Sequence, residues 1–321
     1  MTPIRWGILG AAAFARGHMG PAIHAARGAQ LVALGTSDPA RAAPFEAFAP
    51  GLRVHAGYDA VLADPDIDAV YIPLPNHMHV DWTLKALAAG KHVLCEKPMA
   101  LREDDFGRVI AARDASGLLA AEAFMVVHHP QFARARQIVQ GGELGPLRHV
   151  QAAFAFYNDD RDNIRNQAAA GGGALADIGV YAFGAARFVT GEDPEAVTHA
   201  RIDTRDGVDT YVNMTARFPG FGYAAMVSIR AAKRQELVFH GEQGVLTMTC
   251  PFNAGVHDQA ELRIETAERA VVTERFPGVN HYVLQVEAFC KALREGGDYP
   301  CPLEFSRGTQ RMVDMTRKAG G

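Results

Sequence analysis

A carboxylate and a phenol stand four residues apart, as Asp177 and Tyr181, in a stretch that opens with Gly171-Gly172-Gly173. On a helix that spacing puts both side chains on one face, where they could address the same cleft. A phenol with its ordinary pKa of about 10 is a poor base at neutral pH, but a nearby ammonium favours the phenolate. Lys97 offers such an ammonium, in Glu96-Lys97-Pro98 at the end of the apolar run 92–95. In an open parallel sheet, ligands bind beyond the carboxyl ends of the strands, where this lysine would stand. A lone lysine at a strand end is, however, more often a solvated charge. Together the three groups suit removal of a hydroxyl proton while hydride leaves carbon. A plain structural reading stands beside this one. Leu175, Ile178, Ala182, Ala185 and Val189 trace a buried stripe, and Tyr181 could join the core. The glycines themselves admit a phosphate loop, a simple helix start, or the floor of an active site.

A second glycine motif lies far upstream. Gly10, Ala11, Ala12, Ala13, Phe14 and Ala15 follow an apolar run and fill the GxGxxG/A frame, with alanine at the middle glycine. There the first glycine permits a tight turn, the second close approach of a pyrophosphate, and the third close helix packing. The next apolar run ends in Thr36 and Ser37, with Arg41 just beyond. Hydroxyls and a guanidinium suit the 2′-phosphate of NADP, whereas a carboxylate at that tip would bind the NAD ribose. Asp38 is the competing residue. Its position before Pro39 reads better as a helix cap, so NADP is expected and NAD is the alternative.

The elements needed to carry these groups are readable in outline. Over the first 120 or so residues, apolar runs at 4–9, 31–35, 53–56, 69–75, 92–96 and 118–124 alternate with helical patterns at 13–27, 77–89 and 103–116. Strands separated by helices imply a doubly wound parallel Rossmann sheet, an α/β fold. Beyond residue 122 the runs at 149–157, 209–218, 223–231, 236–249, 260–266 and 270–276 alternate in polarity and are joined by short turns. That is the pattern of an open, mostly antiparallel sheet with helices on one face. Helices are expected at 174–189, 282–295 and 305–318. The implied division is a Rossmann domain at 1–122, a substrate-binding α/β domain at 123–303, and a helix at 304–321 packing back on the first domain.

The net charge of −4 and pI near 6.3 across 321 residues give no general reason to bind nucleic acid or an anionic membrane. No apolar run reaches the length of a membrane span. Four scattered cysteines form no CxxC pair, which favours reduced thiols in the cytoplasm over disulfides or zinc. Arg5 and the apolar stretch after it imitate a signal peptide but read better as a strand and turn. His77 and His79 are two apart, a poor spacing for two metal ligands on one helix face. They are expected at the cofactor edge or the surface, with Asn76 as a helix cap. His128 and His129 read as neighbours on an extended segment, so only one faces the cleft.

The segments 6–15, 71–101, 122–132 and 171–181, in this order, resemble the Gfo/Idh/MocA family of oxidoreductases over essentially the whole chain. The resemblance implies NAD(P)-dependent hydride transfer on a sugar, polyol or related cyclic alcohol, without a metal. It also implies a homodimer or homotetramer formed through the second domain's sheet. Lys97 matches the lysine that touches cofactor and substrate, Asp177 the aspartate that orients substrate, and Tyr181 the proton donor or acceptor that is histidine in many members. Tyrosine there, with Asn163 and Arg165 in the segment 162–167, resembles the sugar 1-dehydrogenase and dihydrodiol dehydrogenase branch. Leu74, Pro75, Asn76, His79 and Glu96 are expected at the cofactor, and His129, Asn163 and Arg165 at the substrate. Val127 departs from the pattern, since many relatives carry arginine there. Regulatory members without activity, and members that hydrolyse glycosides with a retained NAD, are the alternatives of another class.

Overall fold

The computed structural model describes residues 2–268 and 270–321, which divide into two compact units. The first unit comprises 1–125 with 281–306, and the second 126–280 with 307–321.

In the first unit six strands run parallel: β1 (Ile4–Leu9), β2 (Ala29–Gly35), β3 (Arg53–His55), β4 (Ala69–Ile72), β5 (His92–Cys95) and β6 (Ala120–Glu122). Their order across the sheet is β3-β2-β1-β4-β5-β6. The chain starts at the centre, winds outward to one side and then to the other, so the strand order reverses beside β1. The inner strands are apolar because helices cover both faces; all four residues of β4 are buried. The helices are α1 (Gly20–Ala25), α2 (Ala43–Glu46), α3 (Tyr58–Ala63), α4 (His79–Ala88) and α5 (Glu103–Ser116). In α5, Glu103, Asp104 and Asp105 face the positive end of the helix dipole, and Gly117, with φ of 66°, ends it.

The second unit opens with α6 (Pro130–Gln140), which the polarity pattern does not reveal. His129 caps it by accepting from Gln131 N at 3.2 Å, and Pro130 takes the first helical position. Residues 125–128 form a 3₁₀ turn. The expected alternation of His128 and His129 along an extended segment therefore does not occur. After β7 (Leu147–Tyr157) and α7 (Val180–Thr190) come β8 (Ala196–Arg205), β9 (Val208–Phe218), β10 (Phe221–Ser228), β11 (Arg230–Gly241), β12 (Gly244–Met248), β13 (Glu261–Thr266) and β14 (Val271–Arg275). They form one sheet in the order β14-β13-β12-β11-β7-β10-β9-β8, antiparallel except for the β7–β10 pair. Burial alternates along β9 and β10, as expected for a sheet with one covered face. Tyr223 of β10 donates to Ala182 O at 3.0 Å, tying the sheet to α7.

The chain then forms α8 (His281–Glu295) and α9 (Leu303–Ala319). Helix α8 belongs to the first unit, although its sequence neighbours suggested the second domain. Phe289 lies 5.0 Å from the Trp6 ring, and Glu287 pairs with Arg27 at 3.0 Å. From residue 307 onward α9 groups with the second unit, where Thr309 accepts from Arg187 at 2.6 Å. An amphipathic stripe shows that a helix has an apolar face but not which surface that face meets. Among the described residues no helix is long and apolar enough to cross a membrane.

Candidate active site

In the first unit, the site is built at the carboxyl ends of β1, β2 and β4. Gly10 ends β1 with φ of +110° and donates to Gly35 O at 3.0 Å. A Cβ there would lie 3.1 Å from Leu74 and 3.4 Å from the Tyr58 hydroxyl, so the turn needs glycine for both conformation and space. Ala11, Ala12, Ala13 and Phe14 leave this turn partly open to solvent, and Ala15 is buried at the start of the first helical segment. Arg41 reaches back from the end of β2 and donates to Ala11 O at 2.8 Å. Its guanidinium thus lies against the glycine turn. Asp38 accepts from Ala40 N at 3.0 Å and caps the turn that starts at Pro39. Thr36 corrects one expectation: it is buried, and its hydroxyl lies 3.2 Å from both Asp38 N and Asp38 O. Ser37 and Arg41 are the exposed donors at this tip. An open glycine turn, a cation over it and a spent aspartate fit a phosphate-bearing dinucleotide.

Glu96 and Lys97 follow β5. One Glu96 carboxylate oxygen accepts from the Tyr71 hydroxyl at 2.6 Å and the other from Lys97 N at 3.2 Å. Burial pushes this carboxyl up to about 7, against the Lys97 ammonium and the Tyr71 hydroxyl, which pull it down. His79 is not at the cofactor edge or the surface. It is fully buried, with Nδ1 2.8 Å from Pro98 O and Nε2 2.7 Å from Leu74 O. A ring with both nitrogens against backbone carbonyls spans the two loops that hold Leu74 and Lys97 and offers no atom to a ligand. Asn76 also differs from expectation: Pro75 takes the cap position and Asn76 is the first residue of the 3₁₀ turn. Sequence reasoning missed Tyr58 and Tyr282. Tyr282 lies 5.7 Å from the Phe14 ring, edge to face, and arrives on α8 from more than 260 positions away.

In the second unit, the packing explains the three glycines. Gly171 is left-handed, with φ of 77°. A Cβ on Gly172 would fall 2.5 Å from Arg165 O, and one on Gly173 would collide with the Asp209 carboxylate. Gly173 N donates to Arg165 O at 2.9 Å, so the 163–167 turn is pressed directly onto the glycine backbone. Asp209, at the start of β9, accepts from Leu175 N at 2.6 Å and holds the helix start. A π-helical turn, Leu175–Gly179, leads into α7 and carries Asp177. Such turns are frequent at functional sites. Asn163 accepts from Arg165 N at 3.1 Å, and Arg165 Nε donates to Asp177 at 2.5 Å. Tyr181, 5% exposed, has its ring 5.7 Å from Phe154 and 5.9 Å from Phe252, which stack on each other at 4.7 Å. His129 is buried edge-on to Phe276 at 6.0 Å, and burial lowers its pKa to about 4. Val127, at the position where many relatives carry arginine, is buried. Asp209 and Phe252 are the contributors to this region that carried no sequence signal.

The first unit has the turn and cation to hold a dinucleotide, and the second carries a phenol, a carboxylate and a guanidinium close together on its own elements. Comparison with known proteins agrees with this division. Residues 4–124 match the sequence model of an oxidoreductase family with an NAD-binding Rossmann fold, and residues 132–247 match the GFO/IDH/MocA C-terminal domain. The chain is 38% identical to the uncharacterized oxidoreductase ORF334 of Rhizobium meliloti, over 99% of this chain and 97% of that one. It is 36% identical to D-xylose 1-dehydrogenase (NADP(+)) 2 of Haloferax volcanii, over 96% and 95% of the two chains. Its structure resembles a 3-ketoreductase from Actinomadura kijaniata solved with NADP and TDP-benzene. That likeness has a TM-score of 0.92 at 32% identity and covers 99% of this chain and 98% of the other. With both halves of the family pattern present along nearly its whole length, the chain belongs to the Gfo/Idh/MocA oxidoreductases, and its first unit is their nicotinamide-dinucleotide-binding Rossmann domain.

Proposed function

We propose that the protein is an NADP-dependent dehydrogenase that oxidises a carbinol of an aldose or related polyol, with Tyr181 as the acid–base group. The observation that carries this reading is the clamped start of the helix before α7. Arg165 fixes Asp177, Asp209 fixes the helix end, and Tyr181 follows one turn later. A core-only helix needs no arginine held on a buried carboxylate in front of its phenol.

When bound, the nicotinamide supplies the hydride acceptor. Gly10 and the Ala11–Phe14 turn hold the phosphates against the first helix, with Ser37 and Arg41 at the ribose 2′-phosphate. Asp177 accepts a hydrogen bond from a substrate hydroxyl and sets which carbon is presented. Lys97 donates to the reacting oxygen and favours the Tyr181 phenolate, which takes the hydroxyl proton. In the reverse direction the Tyr181 phenol returns that proton to the carbonyl oxygen. The NADP preference rests on Arg41 lying over the glycine turn while Asp38 is used as a cap, and on the NADP named for two of the similar proteins.

A second reading, reduction of a keto sugar, is favoured by the 3-ketoreductase likeness and by a relative from Saccharopolyspora spinosa, a dTDP-3,4-didehydro-2,6-dideoxy-alpha-D-glucose 3-reductase, at 35% identity. It uses the same groups in the opposite direction. A panel of aldoses, polyols, dihydrodiols and keto sugars, with NADP and NAD in parallel, separates the two readings. Tyr181→Phe in that panel should lower kcat by a factor of roughly 10² to 10⁴, the usual worth of positioned proton transfer, while cofactor affinity stays within a few fold. Undiminished turnover in this variant would remove Tyr181 from the mechanism.

A further inference from the structure

A cavity of about 320 Å³ lies wholly in the second unit, under the loop between β12 and β13 and the turn after β14. Its volume sits at the small end of the range for ligand pockets, room for a ring and not for a nucleotide. The apolar part of the wall comes from Phe276 and Pro277, with the His129 ring edge-on to Phe276. The polar part is His257, Asp258 and Gln259, three consecutive residues that bring a ring nitrogen, a carboxylate and an amide to one rim. The Nδ1 atom of His257 is buried, and no described group hydrogen-bonds to it. A buried nitrogen left in this state costs stability unless a ligand or water completes it.

The charge of the lining narrows the occupant. Asp258 is its one carboxylate, and none of the residues lining it is lysine or arginine. Lys233 stands near enough to His257 to help burial lower its pKa, and it offsets the negative charge of Asp258. A phosphate would meet the Asp258 carboxylate in the wall itself, whereas Lys233 stands outside the lining. A neutral ring with vicinal hydroxyls would find acceptors on one side and an apolar floor on the other. The same loop carries Phe252, whose ring touches that of Tyr181 at 5.9 Å, and reaches the cavity wall two residues later at Ala254. The loop that lines the cavity therefore also packs against the ring of the proposed acid–base group.

We propose that this cavity is a second sugar subsite, which takes an uncharged glycosyl ring linked to the ring that is oxidised. The inference rests on the sugar-dehydrogenase reading for its second ring, but not for the binding of a glycosyl group as such. Two measurements separate the failures. In the first, kcat/KM is determined for glucose, maltose, cellobiose and phenyl β-D-glucoside with the NADP-loaded enzyme. The ratio of the better disaccharide to glucose should fall at least tenfold in both His257→Ala and Phe276→Ala. A ratio within threefold of the parent, or a parent that prefers the phenyl glucoside to both disaccharides, overturns the proposal. In the second, the His257 imidazole resonance, assigned by its loss in His257→Ala, is followed as maltose or cellobiose is added. A saturable shift with either disaccharide supports the subsite even if no sugar is turned over, and an unmoved resonance with both overturns it. Absence of turnover across all sugars with a shifting resonance would count against the dehydrogenase reading alone.

Discussion

At the scale of single residues, chemistry was most legible where a residue type has few other uses. Spacing singled out the Gly10 turn and placed Asp177 and Tyr181 on one helix face, whereas the roles given to Lys97, Asp177 and Tyr181 came from the family resemblance. The structure adds what each is held by. Where sequence reasoning erred, a backbone group that spacing does not mark took up the side chain. His79 is sealed between Pro98 O and Leu74 O, and Thr36 turns its hydroxyl into its own loop. Arg41 is the clearest residue-scale test. It contacts Ala11 O yet remains exposed, so its removal should leave the fold unchanged. Arg41→Ala should raise KM for NADP by about tenfold or more, equivalent to about 1.4 kcal/mol, and change KM for NAD by much less. Equal losses for the two cofactors in steady-state assays would show that the guanidinium does not read the 2′-phosphate.

At the scale of elements, the helix bearing Asp177 and Tyr181 was visible in the sequence, but the device that anchors it was not. Asp209 reaches its partner Leu175 N across 34 positions, and no local pattern marks such a contact. Burial raises the pKa of Asp209, while the backbone amides it accepts from favour its charged form. Asp209→Ala should cost about 1–2 kcal/mol, the usual worth of a helix cap, and Asp209→Asn less, because the amide oxygen still accepts. Both should lower kcat more than they raise cofactor KM, since the anchored helix carries Tyr181 and no part of the nucleotide turn. Thermal melting with parallel kinetics reads both effects. A melting loss with unchanged kcat would make Asp209 purely structural. Strand β8 escaped detection for another reason. Most of its residues are exposed, and an edge strand rich in charge shows little alternation.

For the whole molecule, the two sheets and the family were readable, because alternating strand–helix and strand–strand patterns repeat over long stretches. Acid stability is a property of the whole chain. Burial lowers His79 to about 4, His128 to about 3 and His129 to about 4, so the folded protein keeps these rings neutral. In the unfolded chain they protonate near pH 6.5, so their stabilising effect is complete above that value and shrinks as pH falls toward 4. His79 alone should account for about 2 kcal/mol by pH 5. Glu96, raised to about 7, acts in the opposite sense, since its contribution is present in acid and lost as pH rises through 7. Glu122 and Asp209, also raised by burial, act in the same sense as Glu96. The three rings, all lowered to about 4 or below, set the net direction, so Tm should fall between pH 7 and pH 5, and a flat or rising Tm would refute the neutral-ring assignment. The first unit also has an order-of-synthesis consequence. Its sheet is complete by residue 122, but α8, which supplies Phe289 to Trp6 and Tyr282 to Phe14, begins only at residue 281. On the ribosome the nucleotide domain must therefore wait, with an apolar flank uncovered, until the second unit's strands have been made.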